Sequence, residues 1–288
     1  IQASAQKPPR SFVRSLFEWF GIRRENTAGQ SALSSLATDP LLFNQAIEAL
    51  RAYSLLTRDP RTQTLTVHRL VQAVIQDSLP TEAAQQWQQR AVLAVSAARP
   101  DVTDVKQWPA CERWLPHALL CATWIEQLPI SSPKAVLLLN DAGYYLKQRG
   151  RYREVEPLYQ QGLAIDTEVY GPEHPEVATD LNNLAALYRA QGKYEQAESL
   201  YQRALVIREQ QLGAQHSDTA TSLNNLAGLY RAQGKYEQAE PLYQRALAIV
   251  EQVLGPDHPN TKVVRGNYAG LLRAIGREEE ARRVEEGL

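Results

Sequence analysis

Leu181-Asn182-Asn183-Leu184-Ala185 and Leu223-Asn224-Asn225-Leu226-Ala227 are one phrase written twice, 42 positions apart. Between them, Tyr188 to Glu198 recurs unchanged as Tyr230 to Glu240. One step back from Leu181 a looser copy opens at Leu139. One step forward from Leu223 a shorter copy opens at Arg265. Self-similarity at a fixed period of this length marks stacked repeats, in which each repeat buries its apolar face only against its neighbours.

The copy that opens with Pro175-Glu176 shows how one repeat is built. Proline followed by an acid suits the first turn of a helix. Leu181, Leu184, Ala185 and Tyr188 then form one apolar stripe at helical spacing, and Gly192 ends the helix. A second helix is predicted from about Tyr194, with a stripe of Ala197, Leu200, Tyr201, Ala204 and Leu205, closed by Leu212-Gly213. The alanines let the two helices approach closely, and Tyr188 and Tyr201 fill the space beside them.

Leu181, Leu184, Ala185, Tyr188, Gly192, Tyr194, Ala197, Tyr201 and Ala204 resemble the signature of the tetratricopeptide repeat. The usual unit is about 34 residues; here a longer second helix and the loop Leu212 to Ser217 extend it. With Leu-Gly-Pro-x-His-Pro loops such as Leu254 to Pro259, the chain is similar to the kinesin light chain type over about 139–288. The resemblance implies an all-α, right-handed solenoid of about three and a half repeats over 137–288. The last copy places Glu278 and Glu285 where earlier copies have tyrosine, as a polar terminal cap would.

The chain has 288 residues and a net charge of −1, so a nucleic-acid partner is not expected. It contains no apolar run long enough for a membrane span. Cys111 and Cys121 are ten residues apart on one predicted helix, roughly 15 Å, too far to bridge. A reducing, cytoplasmic compartment is the simplest reading. The absence of methionine suggests a piece of a longer chain.

Upstream of the repeats the pattern changes. In residues 1–30, Ser11 to Phe20 reads as a short amphipathic helix, either docked at the terminus or lying on a membrane surface or a partner. Over 31–80 a helix from Asp39-Pro40, a strand Tyr53 to Thr57, a turn Asp59 to Thr62, a strand Thr64 to His68 and a helix Arg69 to Leu79 outline a small winged-helix-like region with one β-hairpin. Its helix 41–52 holds one acid, Glu48, and one base, Arg51. That is too little positive charge for a recognition helix. Residues 81–136 read as a helical linker and cap with a tryptophan-rich core.

The segment from Tyr53 through Val74 is similar to the winged-helix part of bacterial signal-transduction ATPases with numerous domains, the NB-ARC/STAND class. In that class a Met-His-Asp-like motif ends the hairpin, and its histidine contacts the β-phosphate of bound ADP. Val67-His68-Arg69 matches that position, with Arg69 departing from the pattern. The resemblance implies a nucleotide-sensing role for His68 only beside an upstream NTPase domain. The chain has no Gly-x-x-x-x-Gly-Lys-Ser/Thr loop, so it is expected to hold no cofactor itself; ADP or ATP would belong to a full-length protein.

Two ladders are expected on the first helices, facing a concave groove. One is Asn140, Asn182 and Asn224, followed by Gly266. The other is Lys147, Arg189, Arg231 and Arg273. Asparagine clamps an extended backbone through donor and acceptor, and cations receive carboxylates; the same cations also fit the last turn of each first helix, where they complement its dipole. The expected partner is a protein or an extended acidic peptide. Asn183 and Asn225 read as closer to the packed side. His174, His216 and His258 recur in the inter-repeat loops, where a helix-start role fits and a metal site does not. No catalytic constellation is present, so no enzyme is expected. The readings are a sensor module of a STAND ATPase, a freestanding kinesin-light-chain-like adaptor, or a DNA-binding regulator.

Overall fold

The computed structural model describes residues 56–59, 64–67, 80–128, 130 and 132–287. The chain divides into two parts, Ile1–Ala84 and Gln85–Leu288. In the first, β1 (Leu56–Asp59) pairs antiparallel with β2 (Thr64–Val67), Leu56 opposite Val67 and Asp59 opposite Thr64. The helices expected at 41–52 and 69–79, the segment 1–30 and His68 lie outside the described residues.

Downstream come α1 (Thr81–Ala97) and α2 (Trp108–Gln127), joined through a single 3-10 turn. Helix α2 runs through Pro116 and buries Cys111, Trp114, Leu115, Ala118, Cys121, Ala122 and Ile125 along one side. The buried Trp114 indole donates to the Val95 carbonyl at 2.9 Å. Trp108 meets Tyr145 edge-on, ring centres 5.9 Å apart. Trp87 departs from the expected core: it is 43% exposed, with the Arg90 guanidinium over its ring at 5.1 Å. Both cysteines are free and buried, and burial pushes the Cys121 thiol up to about 11.

Four helix pairs follow. They are α3 (Pro133–Gln148) with α4 (Tyr152–Tyr170), α5 (Pro175–Ala190) with α6 (Tyr194–Gln211), α7 (Ser217–Ala232) with α8 (Tyr236–Leu254), and α9 (Pro259–Ala274) with α10 (Glu278–Glu286). Each first helix starts 42 positions after the last. The histidine ladder explains those starts. Nδ1 of His174, His216 and His258 accepts the backbone N–H of Glu176, Asp218 and Asn260 at 3.2, 3.1 and 3.1 Å, an N-cap bond that satisfies an orphan donor of the first turn. The stops are equally local. Gly192 takes φ 75° and the Lys193 N–H returns to the Tyr188 carbonyl, the glycine-terminated form of helix end.

Packing follows the stripes. Ala185, Ala197 and Ala204 are fully buried, and Tyr201 is 1% exposed. Repeats are tied to one another by a recurring triplet. Glu156 accepts from Tyr188 Oη at 2.9 Å and lies 3.6 Å from Lys193; Glu198 holds Tyr230 at 3.0 Å and Lys235 at 3.5 Å; Glu240 holds Tyr268 at 3.1 Å and Arg277 at 2.7 Å. The exposed ion pairs contribute little, and each tyrosine bond about 1 kcal/mol.

Candidate functional site

First helices of successive repeats touch directly, α3 with α5, α5 with α7 and α7 with α9. The asparagine ladder lies at these contacts. Asn140 Nδ2 donates to Asp180 Oδ1 at 2.8 Å. Asn182, 6% exposed, donates to the Ala178 carbonyl at 2.9 Å and to Ser222 Oγ at 3.0 Å. Asn224 Oδ1 accepts from Asn267 at 3.0 Å. Where a groove ladder was expected, Asn140 and Asn182 seal the joints between repeats. A one-residue step turns a helix position by about 100°, which places Asn182 inward and leaves Asn183 partly open. Asn225, expected on the packed side, instead lines a cavity beside Asn224.

That cavity, about 260 Å³, is walled by Arg189, Asn224, Asn225, Gly228, Arg231, Ala232, Tyr243 and Asn267. Three successive repeats meet there. Arg189 is half-buried, and among the described residues no acceptor takes a hydrogen bond from its guanidinium. Arg231 Nη1 donates to the Asn267 carbonyl at 3.1 Å, and no carboxylate pairs with it among the described residues. Both guanidiniums lie on glycine. A Cβ on Gly228 would stand 2.7 Å from Arg189 Nη1, and one on Gly270 would stand 2.5 Å from Arg231 Nη1.

The two ends of the cation ladder differ. Lys147 is half-buried with its ammonium 5.4 Å above the Tyr144 ring. Burial, then the nearby Arg189, holds its pKa below the usual lysine range. Arg273 is already paired. Its Nη1 and Nη2 donate to the two oxygens of Glu285 at 2.7 and 2.5 Å, and its Nε to Glu278 at 3.3 Å. The structure thus brings Arg189, Arg231 and Asn224 together and gives Arg273 a partner from its own repeat.

The signal for the site lay in two glycines. A helix-interior glycine costs about 1 kcal/mol relative to alanine. The first repeat has Tyr144 and the second Ala186 at this position, whereas the third and fourth have Gly228 and Gly270. Each glycine makes room for an arginine of the preceding repeat.

A family model described as "Tetratricopeptide repeat" matches residues 134–210, 181–249 and 218–286, together more than half of the chain. The chain belongs to the tetratricopeptide-repeat family. Repeats of this family are protein-interaction scaffolds, and that is the coarse function of residues 134–286. A second model, "Domain of unknown function (DUF7779)", matches residues 22–84.

Among solved structures, a variant of a Podosopora anserina putative kinesin light chain with nearly identical TPR-like repeats is similar with TM-score 0.54 at 20% identity. That match covers 73% of this chain and 94% of that one. BtubC (BKLC) from P. vanneervenii is similar with TM-score 0.54 at 22% identity, over 73% and 89%. Both likenesses concern the fold. A "Nucleotide-binding leucine-rich repeat (NLR)-like protein" of Hyaloscypha variabilis is 34% identical over 140 residues, 48% of this chain and 14% of that protein. The chain therefore spans about a seventh of that relative's length. Among the described residues no helix is long and apolar enough to cross a membrane, and no cluster of His, Cys, Asp or Glu is arranged for a metal ion.

Proposed function

We propose that this chain is the interaction and sensor module of a STAND-type signalling ATPase. In this reading the repeats capture an extended acidic segment of a protein trigger. Residues 31–80, read as winged-helix-like, relay capture to a nucleotide-binding core in a longer cytoplasmic protein, and residues 81–136 join the two. The module performs no reaction and holds no nucleotide of its own; His68 meets ADP only when that core is present.

The observation that carries capture is the Arg189 guanidinium, half-buried on Gly228 and without an acceptor among the described residues. Removing an arginine from water without an acceptor is costly, and a ligand carboxylate relieves that cost. Asn224, Asn225 and Arg231 flank it, and Lys147 extends the positive strip toward the first repeat. The link to an ATPase is supported by the 34% identity to an NLR-like protein together with Val67-His68-Arg69. A freestanding adaptor shares the fold and gains nothing from that relative.

The test uses the longer protein that contains this chain. Purified without added nucleotide, it should release ADP on denaturation, and His68→Ala should lower the retained amount. A protein that holds no nucleotide and binds none overturns the ATPase reading.

A further inference from the structure

We infer that the joint between the first and second repeats is a proton-operated latch. Asp166 of α4 and Asp180 of α5 hold one proton between them while the joint is closed, and losing it loosens that joint and no other. The device goes beyond the capture reading and does not depend on it.

Position sets the pair. Asp166 is 4% exposed and Asp180 1%. One repeat on, the same two places hold Arg208 and Ser222, joined Nη1 to Oγ at 3.1 Å. In the repeat after that they hold Val250 and Val264, buried in one apolar cluster. Side chains at these places therefore meet where a second helix packs on the next first helix. The later joints set a donor against an acceptor, or valine against valine. This joint sets acid against acid, and the two carboxyls hydrogen-bond to each other. Ionised carboxylates only accept, so that bond needs a proton between them. Two like charges this close in a buried site do not both ionise readily.

The surroundings offer no substitute for the proton. From α3, Asn140 Nδ2 donates to Asp180 Oδ1 at 2.8 Å, while no fixed donor serves the buried Asp180 Oδ2. On α5, Glu176 is a further acid, and on α4 Tyr159 is buried beside the pair. His174 spends Nδ1 on the Glu176 N–H. Arg208 of α6 is turned to Thr179, Ser222 and the Asp218 carbonyl. Among the described residues no lysine or arginine pairs with either aspartate. A calcium ion takes about six to eight oxygens, more than Asp166, Asp180 and Asn140 present.

Burial first, then Asp166 and Glu176, pushes the Asp180 carboxyl up to about 7 against the relief from Asn140. An opened joint exposes both acids, which then titrate near the free value of about 3.9. The closed form thus binds the proton more tightly. The latch is strongest at low pH, weakens as pH rises toward 7 and is released above it.

The test is amide hydrogen exchange of the chain at pH 5, 6, 7 and 8, read by mass spectrometry and corrected for the pH dependence of free amides. Protection around Asp166 and Asp180 should fall by up to roughly tenfold per pH unit between pH 5 and 7, the limit for one released proton, and level off by pH 8. Peptides of α8 and α9, whose joint is Val250 on Val264, should keep theirs. Asp166→Val with Asp180→Val imports that valine joint and should abolish the fall; the isosteric Asp180→Asn should reduce it. Infrared absorption reads the proton itself, as a protonated-carboxyl band present at pH 6, gone at pH 8 and missing from the double variant. A fall shared equally by all four repeats, or one unchanged in both variants, overturns the latch. So does protection at pH 8 that added calcium or magnesium restores in the parent and not in Asp180→Asn, which puts a cation where the proton is assigned.

Discussion

Single positions decide how each joint between repeats is held. Asp180 is 1% exposed and Asp166 4%, and Asn140 donates to Asp180. Burial first, and the neighbouring Asp166 and Glu176 carboxylates, push Asp180 up to about 7 against the relief from Asn140; burial also raises Asp166, with His174 and the Asp180 hydrogen bond opposing it. The folded carboxyl therefore titrates above its unfolded value of about 3.9. A raised carboxyl pKa means the folded state binds the proton more tightly. Stability is then lost as pH rises from about 4 toward 7 and stays low above that. Thermal unfolding should show a higher midpoint at pH 5 than at pH 7.5, and Asp180→Asn should flatten that dependence. A wild-type midpoint that climbs steadily from pH 5 to 7.5, unaltered in the variant, contradicts this picture of the pair.

At the scale of helices, the same joint is built three ways. The positions of Asp166 and Asp180 become Arg208 and Ser222 one repeat on, and Val250 and Val264 in the next. Arg208, 5% exposed, donates to the Asp218 carbonyl at 2.9 Å, Ser222 Oγ at 3.1 Å and Thr179 Oγ1 at 2.9 Å. Ser222→Val alone strands donors of Arg208 and Asn182 and should cost about 1–3 kcal/mol. Arg208→Val with Ser222→Val imports the apolar joint of the following repeat and should stay within about 1 kcal/mol of the parent. Urea unfolding of the three proteins checks both values. Tyr201→Ala, in the middle of α6, should cost about 3–5 kcal/mol by the same measurement.

Helix limits, repeat period and apolar stripes were legible from the sequence because they depend on spacing within one repeat. The working surface was less so. Whether Asn182 or Asn183 faces inward turns on a single helical step, and both look alike in the sequence. The cavity needs Arg189 of one repeat laid on Gly228 of the next, a contact between residues 39 apart. That Arg273 is internally paired depends on a short α10 bringing Glu285 back to α9, which no periodicity announces.

Across the whole molecule, each repeat is stable because its neighbour covers it. Cutting the chain after Gly255 removes α9 and α10 and uncovers α7 and α8, where Leu226, Leu229 and Tyr230 are buried. Each such side chain contributes about 1.5–3 kcal/mol by burial. The shortened protein should therefore melt several degrees lower by circular dichroism, and it should lose the Asn267 wall of the cavity. The capture reading proposed above puts acidic segments on the first-helix side between repeats and not on the second helices. The direct measurement places a photo-activated cross-linking amino acid at Ala232, on the cavity rim, or at Val206, 47% exposed on α6, and irradiates each with a capped octaglutamate peptide. Cross-linking at Ala232 that is absent at Val206 is the expected result; equal yields at both, or yield only at Val206, contradict capture on the first-helix side.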